Sequence, residues 1–139
     1  MEKIKLLIVE DNKVDRNLYN MKLDEDVFEK RFVETGKKAL EAYEEWKPDI
    51  ILLDIMLPGT SGYTVLKEIR EKQKDLFTTI IIASALSDRE DILQCAQYGI
   101  QGYLIKPINL HELNIKILRF HGDSHPDKAL QTKPFLYDS

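Results

Sequence analysis

Short apolar runs alternate with helix-like segments along the first 119 residues of the chain. Five runs of strand length lie at residues 5–9, 28–33, 49–54, 79–84 and 102–106. Most are continuously apolar, as in strands buried on both faces of a parallel sheet, and the second is more polar. Between them, apolar residues recur at spacings of three and four, which is typical of helices. The pattern predicts an α/β domain with a doubly wound, five-stranded parallel sheet.

Connection rules narrow the strand order, because crossovers between parallel strands are right-handed. At this size the order 2-1-3-4-5 is the commoner one. The last helix is predicted over residues 109–119, with Asn109 as its N-cap. Glycine and proline then interrupt a mostly polar stretch, so we expect a domain over residues 1–119 and a tail or truncated linker over 120–139. In the fourth helix Ile92, Cys95 and Ala96 are predicted to face inward. Apolar residues at helical spacing are Val14, Leu18 and Met21 in the first helix and Leu110, Leu113 and Ile117 in the last.

Composition excludes several classes of protein. The 139 residues include 20 Lys and Arg against 24 Asp and Glu, a net charge of −4, which argues against direct binding to nucleic acid. The charged start and the short apolar runs predict neither a secretion signal nor a membrane span. The single cysteine, Cys95, allows no internal disulfide and is expected in the core. We therefore expect a cytoplasmic protein of one domain.

Charged and polar residues follow four of the predicted strands. Glu10 and Asp11 end the first, Asp54 the third, Ser84 the fourth and Lys106 the fifth. The carboxyl ends of parallel strands share one edge of the sheet, where ligands of such folds bind. Because the first turn is acidic and lacks the glycines that cradle phosphate, it is expected to attract a cation.

Carboxylates that converge at this edge favour a divalent cation. Two of them held about 4 Å apart repel each other by ~4 kcal/mol at an effective dielectric constant near 20. A bound cation removes that cost, and a small set of hard oxygen ligands favours Mg²⁺. We expect Mn²⁺ to substitute, whereas Zn²⁺ lacks its usual histidine and cysteine ligands here.

These residues and their spacing identify a resemblance to a known family. The chain has an acidic pair after the first strand, the segment Asp54-Ile55-Met56-Leu57-Pro58-Gly59-Thr60-Ser61-Gly62, then Ser84-Ala85 and Lys106-Pro107. Over residues 4–119 it resembles the receiver domain of two-component response regulators, including chemotaxis regulators. The resemblance implies the flavodoxin-like (βα)5 receiver fold.

The resemblance also implies roles for the residues at the sheet edge. Asp54 accepts a phosphoryl group, as carboxylate nucleophiles do in other phosphoryl transfers. Asp11, Asp54 and the backbone carbonyl of Met56 bind Mg²⁺ directly, and Glu10 binds it through water. Lys106 pairs with the phosphoryl oxygens as a point charge.

A switch and its partners are implied in the same way. The Ser84 hydroxyl moves to the phosphoryl group, Tyr103 rotates inward, and the Lys106-Pro107 peptide bond is cis. The expected partners are a sensor histidine kinase or phosphotransfer protein and an output protein or output domain. The chain is expected to be a monomer or a phosphorylation-dependent dimer, and to catalyse only its own phosphotransfer and slow autodephosphorylation.

Two apolar positions flank the expected path of an attacking water. Met56 lies two residues after Asp54, and Leu86 two residues after Ser84. Neither side chain can orient water or supply a proton, so we predict slow hydrolysis of the phosphorylated form.

Other interpretations stay open from the sequence. A phosphohydrolase with an aspartyl nucleophile and Mg²⁺ has similar residues, but usually carries a second acid where this chain has Met56. A pseudo-receiver would keep the fold and bind partners without phosphorylation. Outside the constellation, Asp15, Asp88 and Asp91 are interpreted as helix caps or solvated acids.

Overall fold

In the described part of the chain, five parallel strands form one sheet in the predicted order 2-1-3-4-5. The structure, a computed structural model, describes residues 2–124. The strands are β1 (Ile4–Val9), β2 (Phe28–Val33), β3 (Ile50–Leu53), β4 (Thr79–Ser84) and β5 (Gly102–Ile105). The helices are α1 (Lys13–Lys22), α2 (Gly36–Trp46), α3 (Gly62–Lys67), α4 (Arg89–Gln97) and α5 (Leu113–Ser124), and a π-helical turn over Glu68–Lys72 continues α3.

Each face of the sheet carries its own hydrophobic core. In β1, for example, Leu7 packs with residues of α2, α3 and α4, whereas its neighbours Leu6 and Ile8 pack with residues of α1 and α5. Successive strand residues point to opposite faces, so both sets must be apolar. This two-sided burial explains why the central strands are almost continuous apolar runs, and it confirms the predicted fold class.

The buried faces of two helices do not follow the apolar spacing of the sequence. Val14 and Met21 of α1 are 66% and 75% exposed, and Tyr19 and Leu23 are buried instead. On α4, Cys95 is buried as predicted but Ala96 is exposed. The prediction that Ala96 faces inward was therefore wrong, and the apolar spacing of Val14 and Met21 does not mark the buried side of α1. The side of a helix that faces a sheet depends on how the helix packs, which apolar spacing alone does not fix.

The last helix begins and ends later than predicted. Asn109 does not cap it, because its side-chain oxygen accepts a hydrogen bond from the backbone of His111, two residues on (3.0 Å). The helix continues past residue 119 to Ser124. Phe120 in this extension is only 4% exposed and packs on Gly102, where any Cβ would overlap the phenyl ring. Residues 120–124 thus continue α5, and the remainder of the predicted tail lies outside the described residues.

No helix in the described part of the chain is both long and apolar enough to cross a membrane.

The packing of Phe120 gives the first testable prediction. We expect Phe120→Ala to lower the free energy of unfolding by about 3–5 kcal/mol, the usual range for emptying a buried phenylalanine site. Ile115→Ala removes an apolar side chain from the same helix at a position that is 55% exposed, so we expect a change within about 0.5 kcal/mol. Urea denaturation measures both. Equal effects of the two substitutions would contradict the packing of Phe120 described above.

Candidate functional site

Pairing of β1 with β3 brings the predicted acidic residues together. Val9 lies beside Leu53 in the sheet, so Glu10 and Asp11 follow β1 next to Asp54 at the end of β3. Carboxylate oxygens of Glu10, Asp11 and Asp54 all lie within 4.8 Å of one another. Glu10 and Asp54 are buried and Asp11 is exposed, which leaves the group open to solvent on one side.

The side chains of Glu10 and Arg16 fix the backbone of the acidic turn, which is the segment of residues 10–12 after β1. Glu10 accepts a hydrogen bond from the backbone N–H of Asn12 at 3.2 Å. The guanidinium of Arg16, on α1, donates to the backbone oxygens of Glu10 (3.0 Å) and Asp11 (2.8 Å). Arg16 was not singled out from the sequence, where its place in the first helix was the only signal. By binding both carbonyl groups, it holds the backbone from which the two carboxylates extend.

A close approach of α3 fixes Asp54 from the other side. Asp54 is 6% exposed, and its Oδ1 accepts a hydrogen bond from the backbone N–H of Met56 at 3.0 Å. The N–H of Gly62 donates to the carbonyl of Ile55 at 2.9 Å. A Cβ on Gly62 would overlap the carbonyl oxygen of Asp54. Glycine is therefore required at position 62 for the helix to begin this close to Asp54.

Lys106 brings a single ammonium group into the acidic cluster. Its Nζ donates to Glu10 Oε1, to Asp54 Oδ2 at 2.9 Å and to Asp15 Oδ2 at 3.3 Å. The peptide bond between Lys106 and Pro107 is cis, as the resemblance implied. An ammonium has three hydrogens to donate, so these three carboxylates account for all of them.

The pKa values of Glu10 and Lys106 shift because both groups are partly buried and bind each other. Burial raises the pKa of Glu10 above its ordinary value, and the hydrogen bond from Lys106 offsets only part of that shift. Burial lowers the pKa of Lys106, but its hydrogen bonds to Glu10 and Asp54 outweigh burial and leave that pKa above its ordinary value. Lys106 therefore stays charged, and one ammonium faces more carboxylates than it can neutralise.

The donor set fits a hard divalent cation. Glu10, Asp11 and Asp54 offer carboxylate oxygens only, which is the ligand type that Mg²⁺ prefers, and exposed Asp11 leaves room for the waters that Mg²⁺ retains. Two positive charges would also correct the excess of carboxylates around Lys106. The residues present therefore fit Mg²⁺.

The structure places the predicted switch residues next to this cluster. Ser84 is buried at the end of β4, and its hydroxyl oxygen accepts a hydrogen bond from the backbone N–H of Leu86 at 3.2 Å. The phenol of Tyr103 donates to the carbonyl of Leu86 at 2.6 Å. Burial raises the pKa of Tyr103 to about 12, so the phenol stays protonated. Ser84 and Tyr103 thus both bind the backbone of Leu86, in the loop after β4.

Asp15 lies in this site, contrary to its interpretation as a helix cap or a solvated acid. Asn12 caps α1 by accepting a hydrogen bond from the Asp15 backbone at 3.0 Å, while the Asp15 carboxylate reaches Lys106. The contact joins α1 to the end of β5, and no local sequence pattern signals it. Asp91 is also not merely solvated, because it accepts a hydrogen bond from the Tyr63 phenol at 3.3 Å.

Comparison with known proteins supports one family throughout. The family model for the response regulator receiver domain matches residues 6–118. The response regulator ArlR of Staphylococcus saprophyticus is 34% identical over 113 residues, which cover 81% of this chain and 50% of ArlR. A cyclic di-GMP phosphodiesterase of Thermotoga maritima is 34% identical over 112 residues, which cover 81% of this chain and 29% of that protein. The chain thus spans half or less of the length of these two curated relatives.

Solved structures give the same result. The receiver domain of the Francisella response regulator 1452 superposes with a TM-score of 0.77 at 30% identity, covering 86% of this chain and 97% of that one. The BeF3-activated receiver domain of DrrB superposes with a TM-score of 0.75 at 29% identity, with the same coverage. The chain belongs to the response regulator receiver domain family of two-component systems.

The contact between Gly62 and Asp54 gives a prediction about the site itself. We expect Gly62→Ala to displace the backbone at Asp54 and to lower the free energy of unfolding by about 1–3 kcal/mol, as overpacking does. The amide NMR signal of Met56, whose N–H binds the Asp54 carboxylate, should shift as well. As a control, Gly59→Ala strains a residue at φ +73° that has open space around it, so it should leave that signal in place. An unshifted Met56 amide in Gly62→Ala would contradict this arrangement.

Proposed function

We propose that this receiver domain accepts a phosphoryl group on Asp54 from a phosphohistidine of a sensor histidine kinase or phosphotransfer protein, with Mg²⁺ bound at Glu10, Asp11, Asp54 and the carbonyl of Met56. The observation that carries the proposal is the position of the Asp54 carboxylate. It lies within the acidic group, one oxygen accepts from the Met56 N–H, and the other accepts from the Lys106 ammonium.

In this proposal Asp54 is the nucleophile, and the other residues stabilise the negative charge of the transferring phosphoryl group. A carboxylate oxygen of Asp54 forms a bond to phosphorus while the bond from phosphorus to the histidine nitrogen breaks. A Mg²⁺ ion held by Glu10, Asp11 and Asp54 would supply positive charge beside the transferring group. The Lys106 ammonium, which is paired with Glu10, Asp15 and Asp54, supplies a second positive charge near the transferring group. Arg16 and Gly62 keep the acidic turn and the Asp54 backbone in place before the donor arrives.

The loop after β4 is the element that responds to phosphorylation. A phosphoryl group adds a charge of about −1.5 to −2 and three acceptor oxygens beside Ser84. The Ser84 hydroxyl now accepts from Leu86, and it gains an acceptor toward which its own proton can turn. Because Tyr103 binds the carbonyl of Leu86, a shift of the loop changes the contacts of both Ser84 and Tyr103. We propose that this change alters binding to an output protein or output domain.

The receiver interpretation is favoured over a phosphohydrolase. The residue two positions after Asp54 is Met56, whose side chain is 60% exposed and can neither donate nor accept a proton. A hydrolase of this type needs an acid there to protonate a leaving group. The phosphodiesterase activity in the name of the Thermotoga relative belongs to a protein of which this chain covers 29%.

Phosphorylation of Asp54 is tested by intact mass. We expect incubation with Mg²⁺ and acetyl phosphate to add about 80 Da, the mass of one phosphoryl group, to the wild-type chain. Asp54→Asn removes the nucleophile and should abolish the gain. Asp26→Asn removes one carboxylate from the loop before β2, at the opposite edge of the sheet, and should leave the gain unchanged. No gain in the wild type, or an undiminished gain in Asp54→Asn, would reject the proposal.

The lifetime of the phosphorylated form tests the two apolar flanking residues. We expect the paired substitutions Met56→Asn and Leu86→Glu to speed loss of the phosphoryl group by about tenfold or more, because groups that orient water and accept its proton contribute on that scale. The decay of the added mass after removal of the donor measures the rate. Met21→Asn with Leu93→Glu makes the same changes at exposed positions on α1 and α4 and serves as the control. An unchanged rate in the first pair would refute this role of Met56 and Leu86.

A further inference from the structure

Asp15 contacts the candidate site without belonging to the metal-binding group. Its Oδ2 lies 3.3 Å from Lys106 Nζ, and its side chain is 35% exposed. The side chains of Glu10 and Asp54 are 2% and 8% exposed. Asp15 therefore pairs with the Lys106 ammonium at the exposed rim of the site, whereas Glu10 and Asp54 pair with it on the buried side.

The usual structural role for an acid at this position is already filled. Asp15 is the third residue after the N-cap Asn12, where an acidic side chain commonly reaches back to the N–H of the cap residue. Here the Asn12 N–H donates to Glu10 at 3.2 Å. The Asp15 carboxylate is thus not needed to cap α1, and it extends across to Lys106 at the end of β5 instead.

Binding of a divalent cation would change which carboxylates remain available to pair with Lys106. The cation would draw on the carboxylates of Glu10 and Asp54, to which Lys106 now donates. Two cations that share these carboxylates repel each other, so the ammonium has to give up part of its contact with them. Asp15 is the remaining partner of Lys106, and it lies outside the group that offers ligands to the metal.

We propose that Asp15 is a positioning residue for Lys106: it holds the ammonium at the rim of the site when a divalent cation occupies Glu10, Asp11 and Asp54. This role rests on the proposed function, because that function supplies the reason for a cation at the site. It makes Asp15 a determinant of metal affinity that acts through Lys106. Without Asp15, Lys106 stays on Glu10 and Asp54 and competes with the metal for them.

A double-mutant cycle with Mg²⁺ as the ligand tests this role. Isothermal titration calorimetry would compare wild type, Asp15→Asn, Lys106→Met and the double variant. We expect Asp15→Asn to weaken Mg²⁺ binding by about tenfold in the wild-type background, but by about twofold where Lys106 is absent, because only the loss of a nearby negative charge then remains. Asp15→Glu keeps the charge and should restore most of the affinity. Asp26→Asn is the matched control for removal of one carboxylate.

The outcomes separate this role from the proposed function. An equal loss of affinity in both backgrounds, or no loss in Asp15→Asn alone, would overturn the positioning role and leave phosphorylation of Asp54 untouched. If Lys106→Met fails to fold, the single variants decide. A loss of Mg²⁺ affinity in Asp15→Asn that Asp15→Glu does not recover would then overturn the positioning role. A cycle that behaves as expected while Asp54 gains no mass would reject the proposed function and keep the role of Asp15. Failure of the wild type to bind Mg²⁺ would reject both.

Discussion

The ion pairs of Lys106 are the interaction on which the rest of the site depends. One ammonium at the end of β5 meets Glu10 and Asp54, which follow β1 and β3, and Asp15 on α1. Its charge reduces the mutual repulsion of carboxylates held within a few ångströms of one another. Because the carboxylates remain in excess, the site favours a further cation. The same geometry places a positive charge near Asp54, where a transferring phosphoryl group would need one.

The rest of the fold serves to hold this sheet edge in one arrangement. Two hydrophobic cores enclose the central strands, and the register of β1 against β3 decides which carboxylates become neighbours. Around the site, small local features complete the arrangement. Arg16 fixes the carbonyls of the acidic turn, Gly62 lets α3 begin against Asp54, and Tyr103 ties β5 to the loop after β4. Each acts on backbone position and so fixes the segments from which the functional side chains extend.

Much of this site was predictable from the sequence because its residues follow strands. A continuous apolar run ends at a definite residue, and in a parallel sheet all such ends lie at one edge, so Glu10, Asp54 and Lys106 were expected to meet. Asp15 and Arg16 were not expected there, because their contacts depend on how α1 packs. The apolar spacing along α1 does not show which side is buried, since Val14 and Met21 are exposed and Tyr19 is buried. The end of α5 was missed for a similar reason, as it depends on the close contact of Phe120 with Gly102.

The central claim is that this sheet edge binds a divalent cation next to the Asp54 carboxylate, and anomalous diffraction from crystals soaked in Mn²⁺ tests it most directly. Mn²⁺ takes the same oxygen ligands as Mg²⁺ and gives an anomalous signal of its own. The account predicts one strong peak bonded to carboxylates of Asp11 and Asp54, with the Lys106 ammonium shifted toward Asp15. The absence of a peak between these residues, or a peak elsewhere with the Lys106 contacts to Glu10 and Asp54 unchanged, would contradict it.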